Sequence, residues 1–341
     1  MDVIIRQAGL LTTVQDGGRY GYQQYGVMVS GAMDQKSMRL ANLLVGNEPD
    51  EAVLEMTALG ADLEFQTDCL VAAVGADMQP VIGKMPVEMG AAILVRKGET
   101  IRFQAAKHGC RTYLSFAGGL DLPEVMGSRS TLLRAGLGGY KGRKLRPGDE
   151  LSLRAPVGSL PHWEKRRIEP WQMPEKLLTL RVVLGPQDDR FPVQAMETFL
   201  SSVYTVKAES DRMGYRLDGP KLAHVNGANI ITDGIAFGAI QVPNDGKPII
   251  MMADRQCTGG YTKIASVITA DLPLLAQCGA GAKVQFQSIC IEQAQELLRA
   301  AREGEQAFAR QLQSEDPAAT GSIVARMEYP YQIQVEQEGA G

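Results

Sequence analysis

Alternation is the feature that most constrains this chain. From about residue 52, apolar and polar side chains exchange places in short runs, and glycine or proline separates many of the runs. A period of two puts successive side chains on opposite faces of a strand, whereas a helix face needs a period near 3.6. The pattern predicts strands around Val53 and Glu55, around Leu63 and Phe65, and over 69–74, 91–96, 100–104, 111–117 and 150–154. Within 100–104, Ile101 and Phe103 face one way while Thr100, Arg102 and Gln104 face the other. Residues 177–184 and 202–207 continue the theme. Three segments, 97–103, 147–153 and 279–286, each read as a glycine turn feeding an alternating strand. They suggest duplicated β-modules, although such turns occur in any β-rich chain.

Helical periodicity is confined to a few places. Asp34 is placed to cap a helix carrying Met38, Ala41, Leu44 and Val45, which Gly46-Asn47 ends. A short helical turn ends over 197–201. Residues 291–312 are rich in good helix formers, with a thin apolar stripe of Ala294, Leu297, Leu298, Ala301 and Phe308. That helix is expected on the surface or docked on a partner. Regular strand–helix alternation is missing, which argues against a parallel, doubly wound sheet. The expected fold is mainly β: two β-barrel modules, a few helices and a C-terminal surface helix. Closure into barrels protects the edges that many short strands create.

At 341 residues the chain is long for one domain and comfortable for two. Residues 157–177 hold three prolines, both tryptophans and the run Glu164-Lys165-Arg166-Arg167, which makes them the best joint. The division expected is a first module over 1–165, a second over 170–290, and a helix with an acidic tail over 291–341. Residues 1–50 could instead pack with the second module. Residues 314–322 read as flexible and 323–335 as a last strand-like piece.

Composition removes several function classes. The formal charge is −4, so nothing marks an electrostatic nucleic-acid binder. No apolar stretch is long enough for a membrane helix, and the start Met1-Asp2-Val3-Ile4-Ile5-Arg6 does not resemble a secretory signal. The five cysteines (Cys69, Cys110, Cys257, Cys278, Cys290) are odd in number, widely spaced and form no CxxC. Neither a disulfide framework nor a structural zinc site is expected, and a reducing cytoplasm fits. The three histidines are scattered. No metal site is expected.

Three clusters carry candidate chemistry. In Gln15-Asp16-Gly17-Gly18-Arg19, the aspartate can hold a cation or orient a donor, and the glycines let backbone amides approach a ligand. A tight turn with an Asx cap is the competing reading. Ser128-Arg129-Ser130-Thr131, followed by Arg134 and 138–143, combines hydroxyls and guanidinium groups suited to carboxylate or phosphate oxygens. A loop neutralising nearby acids explains it equally. No GxxxxGK[ST] occurs. The richest cluster runs from Gln241 through Asp254-Arg255 and Thr258-Gly259-Gly260-Tyr261 to Lys263. Asp254 could fix Arg255, and Thr258 with Gly259-Gly260 could present a hydroxyl and two amides to an oxyanion. Tyr261 or Lys263 could supply a proton or a charge. These groups could also simply satisfy one another. Cys257 reads as a small buried filler rather than a nucleophile, since no histidine lies near it in sequence. Smaller candidates are 211–216, a possible anion clamp or a hairpin, together with His224, Glu55 and Asp77.

The stretches Gly9–Arg19, Gly26-Val27, Ser30–Asp34, Ala117–Gly119, Gly127–Thr131, Gly185–Gln187, Gly238–Pro243 and Asp254-Arg255 with Thr258–Tyr261 occur together, in order. Through them the chain resembles the urea amidolyase-related carboxyltransferase family, which includes KipA and the C subunit of 5-oxoprolinase. The resemblance runs from residue 1 to about 290. It departs at Cys257, where relatives commonly carry threonine, and at Thr232-Asp233-Gly234, where they often carry Ser-Glu-Gly.

The resemblance implies cyclophilin-like β-barrel modules. It also implies a KipI-like partner, the B subunit of 5-oxoprolinase, and a third component, the LamB/YcsF-like A subunit. Together such subunits open 5-oxoproline to glutamate with ATP hydrolysis. Two other readings stay open: a KipA-like regulator that binds a KipI-like kinase inhibitor, and a carboxyltransferase subunit for a small amide or urea. The tail lacks a Met-Lys-Met box, so no covalent biotin is implied. ATP is implied only for the assembled complex, with no site located in this chain. For a lactam substrate, Arg255 or Arg129 would hold the carboxylate. Asp16, Asp254 and Lys263 are the catalytic candidates: the aspartates would orient water or a cation, and Lys263 would neutralise phosphate. Gln15, Arg19, Gln241, Thr258, Gly259, Gly260 and Tyr261 complete the expected binding set.

Overall fold

The computed structural model describes residues 1–169 and 177–313, and two further strands, Ile323–Glu328 and Gln332–Gln337. Contacts divide the chain into two units. One comprises Met1–Gly18, Asp34–Gln172 and Arg299–Gly341; the other comprises Arg19–Met33 and Met173–Leu298. The segment expected to be flexible, 314–322, and residues 170–176 of the expected joint lie outside the described residues.

The first unit is built on two larger sheets. Six strands run in the order Glu150–Leu151, Val3–Gln7, Asp62–Phe65, Thr100–Arg102, Val81–Ile82 and Met85–Pro86. Five more run Leu11–Gln15, Val53–Thr57, His108–Phe116, Cys69–Asp77 and Ala92–Val95. Alternation explains Asp62–Phe65, whose Leu63 and Phe65 are fully buried while their neighbours are half-buried. Cys69–Asp77 is buried on nearly every residue, because helix α1 (Gln35–Leu44) packs against it and against His108–Phe116. The expected capping by Asp34 is present. Its carboxylate accepts from Ser37 N at 2.9 Å and from Ser37 Oγ at 2.6 Å. One buried network ties helix to sheet: Asp34 N donates to Tyr113 Oη, and Tyr113 Oη donates to Glu55 Oε2, each at 2.8 Å. Desolvation, with the Glu55 carboxylate beside it, pushes the Tyr113 phenol well above its ordinary range, so it stays a neutral donor.

The second unit contains a closed barrel. Its strands run Leu178–Leu184, Lys263–Val267, Ala239–Gln241, Ile249–Met251, Gly214–Asp218, Tyr204–Val206 and Lys283–Ser288, the last returning parallel to the first through Leu178↔Val284. Helix α2 (Val193–Ser201) covers one side, where Phe199 stacks on Phe286 with centroids 4.5 Å apart. A short helix α3 (Leu272–Ala276) begins beside Asp271, whose carboxylate takes a buried ion pair with Arg181. The strand pair Asn229–Gly234 and Thr258–Tyr261 forms a separate ribbon.

The fold is therefore β-dominated with a few helices, and one seven-stranded barrel closes. The expectation of two barrels is met by one closed barrel; the strands of the first unit divide between separate sheets. Very short members such as Val81–Ile82 and Met85–Pro86 carry too few ladder bonds to continue a sheet around. The C-terminal piece, expected as one strand, is an antiparallel pair, Ile323↔Gln337 through Glu328↔Gln332, and Arg166–Ile168 joins it in parallel. The long helix α4 (Ile291–Gln313) is expected and found, but Gly304, Phe308 and Leu312 are buried. Its thin stripe is covered, at least in part, by the chain itself.

Candidate functional site

The sequence candidates separate between the two units. Gln15, Asp16 and Arg129 belong to the first; Arg19, Gln241, Asp254, Arg255, Thr258, Gly259, Gly260, Tyr261 and Lys263 belong to the second.

In the first unit Asp16 ends the strand Leu11–Gln15 and is a full acceptor. It receives Ser128 Oγ at 2.8 Å, Gly18 N at 2.8 Å, and Ser130 Oγ and Arg129 N at 2.5 Å. A carboxylate offers about four acceptor positions, so its capacity goes to holding the 128–130 loop on the strand. Gln15 is fully buried and donates from Nε2 to Thr13 Oγ1 and Thr131 O, while its Oε1 meets no donor. Arg129 is already answered: its Nε donates to Leu122 O, and its guanidinium lies 3.0 Å from Glu124 and 3.7 Å from Glu51. In this arrangement Asp16 ties the 128–130 loop to the strand.

In the second unit Asp254 fixes Arg212, not the adjacent Arg255. Arg212 Nε and Nη2 each donate to Asp254 at 3.0 Å, and Nη2 also donates to Gly31 O at 2.6 Å. Ser30 Oγ completes the carboxylate at 2.7 Å. Both charges are at least nine-tenths buried, which only a fully hydrogen-bonded pair tolerates. Asp254 thus clamps the 30–31 segment and the Arg212 turn against the barrel. Arg212 stood among the smaller candidates, as part of a possible anion clamp. The anion it clamps is the protein's own.

Freed from Asp254, Arg255 faces a cleft of about 340 Å³ lined by Gln23, Val29, Gly234, Ile235, Ala236, Arg255, Gln256 and Cys257. Its Nε donates to Ile235 O at 3.0 Å, and its guanidinium lies 5.3 Å from the Phe237 ring centre. Among the described residues it forms no ion pair with a carboxylate. Burial lowers its pKa, with Tyr20 and Cys257 acting in the other direction; a guanidinium still stays charged at neutral pH. A half-buried arginine without a counter-ion, beside Val29, Ile235 and Ala236, suits a small ligand with a carboxylate on an apolar body. Cys257, expected as a small buried filler, is half-buried in this wall instead, and its thiol donates to Val27 O at 3.3 Å. Gln23 and Val29, from the 19–33 segment, were not expected here; only the chain's return to this unit brings them in.

Thr258–Tyr261 is a strand of the ribbon. Thr258 pairs with the cleft residue Gly234, and Gly259 pairs with Asp233. Tyr261 is exposed. A Cβ at Gly259 would come within 2.8 Å of Gln241 Nε2 and 2.7 Å of Ile235 Cδ1, so the ends of these side chains occupy the space beside it. Lys263 is buried and ion-paired with Asp233 at 2.9 Å. Arg19 is fully buried, and its backbone N donates to Val29 O at 2.7 Å.

Known proteins share this architecture. Residues 25–288 match the family described as carboxyltransferase domain, subdomain A and B. The chain is 38% identical to the C subunit of 5-oxoprolinase from Escherichia coli (strain K12), over 90% of this chain and 96% of that one. The solved structure of TTHA0988 superposes with a TM-score of 0.76 at 33% identity, covering 84% of this chain and 55% of that one. Kluyveromyces lactis urea carboxylase superposes with a TM-score of 0.83 at 31% identity, covering 91% of this chain. The chain spans about half the length of the former and 29% of the latter.

Proposed function

The chain belongs to the carboxyltransferase-domain family, subdomains A and B, and from that membership we propose that it is the C subunit of an ATP-dependent 5-oxoprolinase, opening 5-oxo-L-proline to L-glutamate. The observation that carries the choice is the near end-to-end match with the C subunit of a 5-oxoprolinase, where urea carboxylase matches only as a part of a longer chain. Companions belong to this reading: a KipI-like B subunit and a LamB/YcsF-like A subunit, in the cytoplasm. ATP, when bound by the complex, supplies activation of the poorly electrophilic lactam; no residue of this chain is assigned to it, and no covalent biotin is assigned either. The cyclophilin-like character of the two modules is likewise part of the proposal.

In this chain Arg255 holds the ligand carboxylate, and Val29, Ile235 and Ala236 pack the ring and thin the water around it. Thr258, across the ribbon from Gly234, with the amides of Gly259-Gly260, stands as the donor set for the lactam oxygen. Asp254 and Asp16 act by position, because their acceptor sites are engaged within the fold. A second reading, transfer of a carboxyl group to a small amide such as urea, is favoured by the urea carboxylase superposition.

The test uses the reconstituted complex of all three components and ATP-dependent glutamate release. Loss of one charge-assisted carboxylate contact predicts that Arg255→Ala raises the KM for 5-oxoproline by about 10- to 100-fold with assembly intact. An assembled Arg255→Ala complex with wild-type KM sinks the Arg255 assignment. Urea-dependent carboxyl transfer without lactam opening would select the second reading.

A further inference from the structure

Behind Ile235 lies a second polar group of side chains in which donors outnumber acceptors. Lys263 is 4% exposed, and Gln241 is its direct cross-strand partner, at 6%. Residues paired in this way project from the same face of the sheet, and this pair sits at a bulge where the register shifts between Ile240 and Gln241. Gln241 Nε2 is buried without any acceptor. The Lys263 ammonium carries three donors; Asp233, 2.9 Å away, holds it as an ion pair and has its own pKa lowered by it, which leaves donors to spare. Gln187 joins the group from a neighbouring turn: its Oε1 accepts from Lys263 N at 3.1 Å.

The anion in this group is the exposed member. The Asp233 side chain is 53% exposed while that of Lys263 is 5% exposed. Asp233 also sits on the ribbon strand Asn229–Gly234, in which Ile231 is 94% exposed and no residue is fully buried. A buried ammonium needs a counter-anion at all times, but an exposed carboxylate loses little by turning back to water. Opposite Asp233 stands Gly259, whose missing side chain is the space that the Gln241 amide fills.

We propose that Lys263 and Gln241 form a carboxylate-binding pocket which Asp233 occupies as a built-in competitor, so that a small carboxylate ligand enters by displacing Asp233. The pocket already holds a carboxylate, which fixes the chemical class. Gln241 Nε2 supplies the donor that Asp233 leaves unused. The proposal does not require the Arg255 assignment; under that reading the pocket takes the second carboxylate of L-glutamate, which ring opening creates.

Titration calorimetry on the full chain, with 5-oxo-L-proline, L-glutamate and inorganic phosphate as separate probes, tests it. Removing a competing exposed ion pair predicts that Asp233→Asn binds 5-oxo-L-proline or L-glutamate about fivefold more tightly than wild type. Gln241→Met in the Asp233→Asn background is expected to cancel that gain, and Lys263→Met to abolish it if the variant folds by circular dichroism. Asp233→Asn with no gain for either carboxylate overturns the pocket, including the case in which neither protein binds. A gain for phosphate alone overturns the carboxylate assignment. Arg255→Ala separates the two claims: if it binds as wild type while Asp233→Asn still tightens, the Arg255 reading fails and the pocket stands.

Discussion

At the scale of single residues, Asp254 and Arg255 are adjacent in sequence and opposite in role. Asp254 is consumed by Arg212 and Ser30, while Arg255 has no carboxylate of its own among the described residues. Asp254→Asn takes the counter-charge from a buried arginine, and breaking a buried pair by losing one partner costs about 3–5 kcal/mol. Urea unfolding of the single variants is expected to show a loss of this order for Asp254→Asn and little change for Arg255→Ala. Equal stabilities would mean that Asp254 is not the clamp its geometry describes. The same contrast guards functional assays, because an inactive Asp254→Asn complex reports folding before it reports chemistry.

At the scale of elements, helices α1 and α4 meet around an ionisable pair. Lys36 on α1 is 7% exposed, and burial pushes its pKa down to about 8, against the pull of Glu305 on α4 and of Asp34. Burial pushes the Glu305 carboxyl upward, with Arg39 opposing. The folded pKa of Lys36 lies below its unfolded value of 10.5. Below about pH 8 the lysine is charged in both states and its burial costs stability. Between about 8 and 10.5 the unfolded chain binds more protons, so stability rises with pH. The full gain is at most about 3 kcal/mol. The stability of wild type relative to Lys36→Met is therefore expected to increase from pH 7.5 to pH 10 in paired urea titrations. A flat difference would place the ammonium in solvent.

At the scale of the whole molecule, the chain is expected to act only in company. The proposed three-component function predicts that glutamate release appears when the proposed KipI-like and LamB/YcsF-like companions are both present with ATP, and in no pairwise mixture. Turnover by this chain with only one companion would overturn the three-component reading. Of the stripe on α4, Phe308 is buried within the chain, while Ala294, Leu297, Leu298 and Ala301 are half-buried.

Local chemistry was legible in the sequence. Alternation around Leu63 and Phe65, the Asp34 cap and the glycine turns at 98, 148 and 281 depend on neighbours a few residues apart, and those strands and that helix are where the pattern puts them. The ordered motifs likewise marked the family. What the sequence could not express was pairing across distance. Asp16 meets Ser128 112 positions away, and Asp254 meets Arg212 42 positions away. Nothing in a local window distinguishes such an aspartate from one that waits for a ligand. Barrel closure through Leu178↔Val284 is nonlocal in the same sense, as is the joining of the 19–33 segment to the later unit. Which charged groups are spent on the fold, and which are left facing a cleft, depends on burial and on the partners that burial demands, and tertiary structure alone decides both.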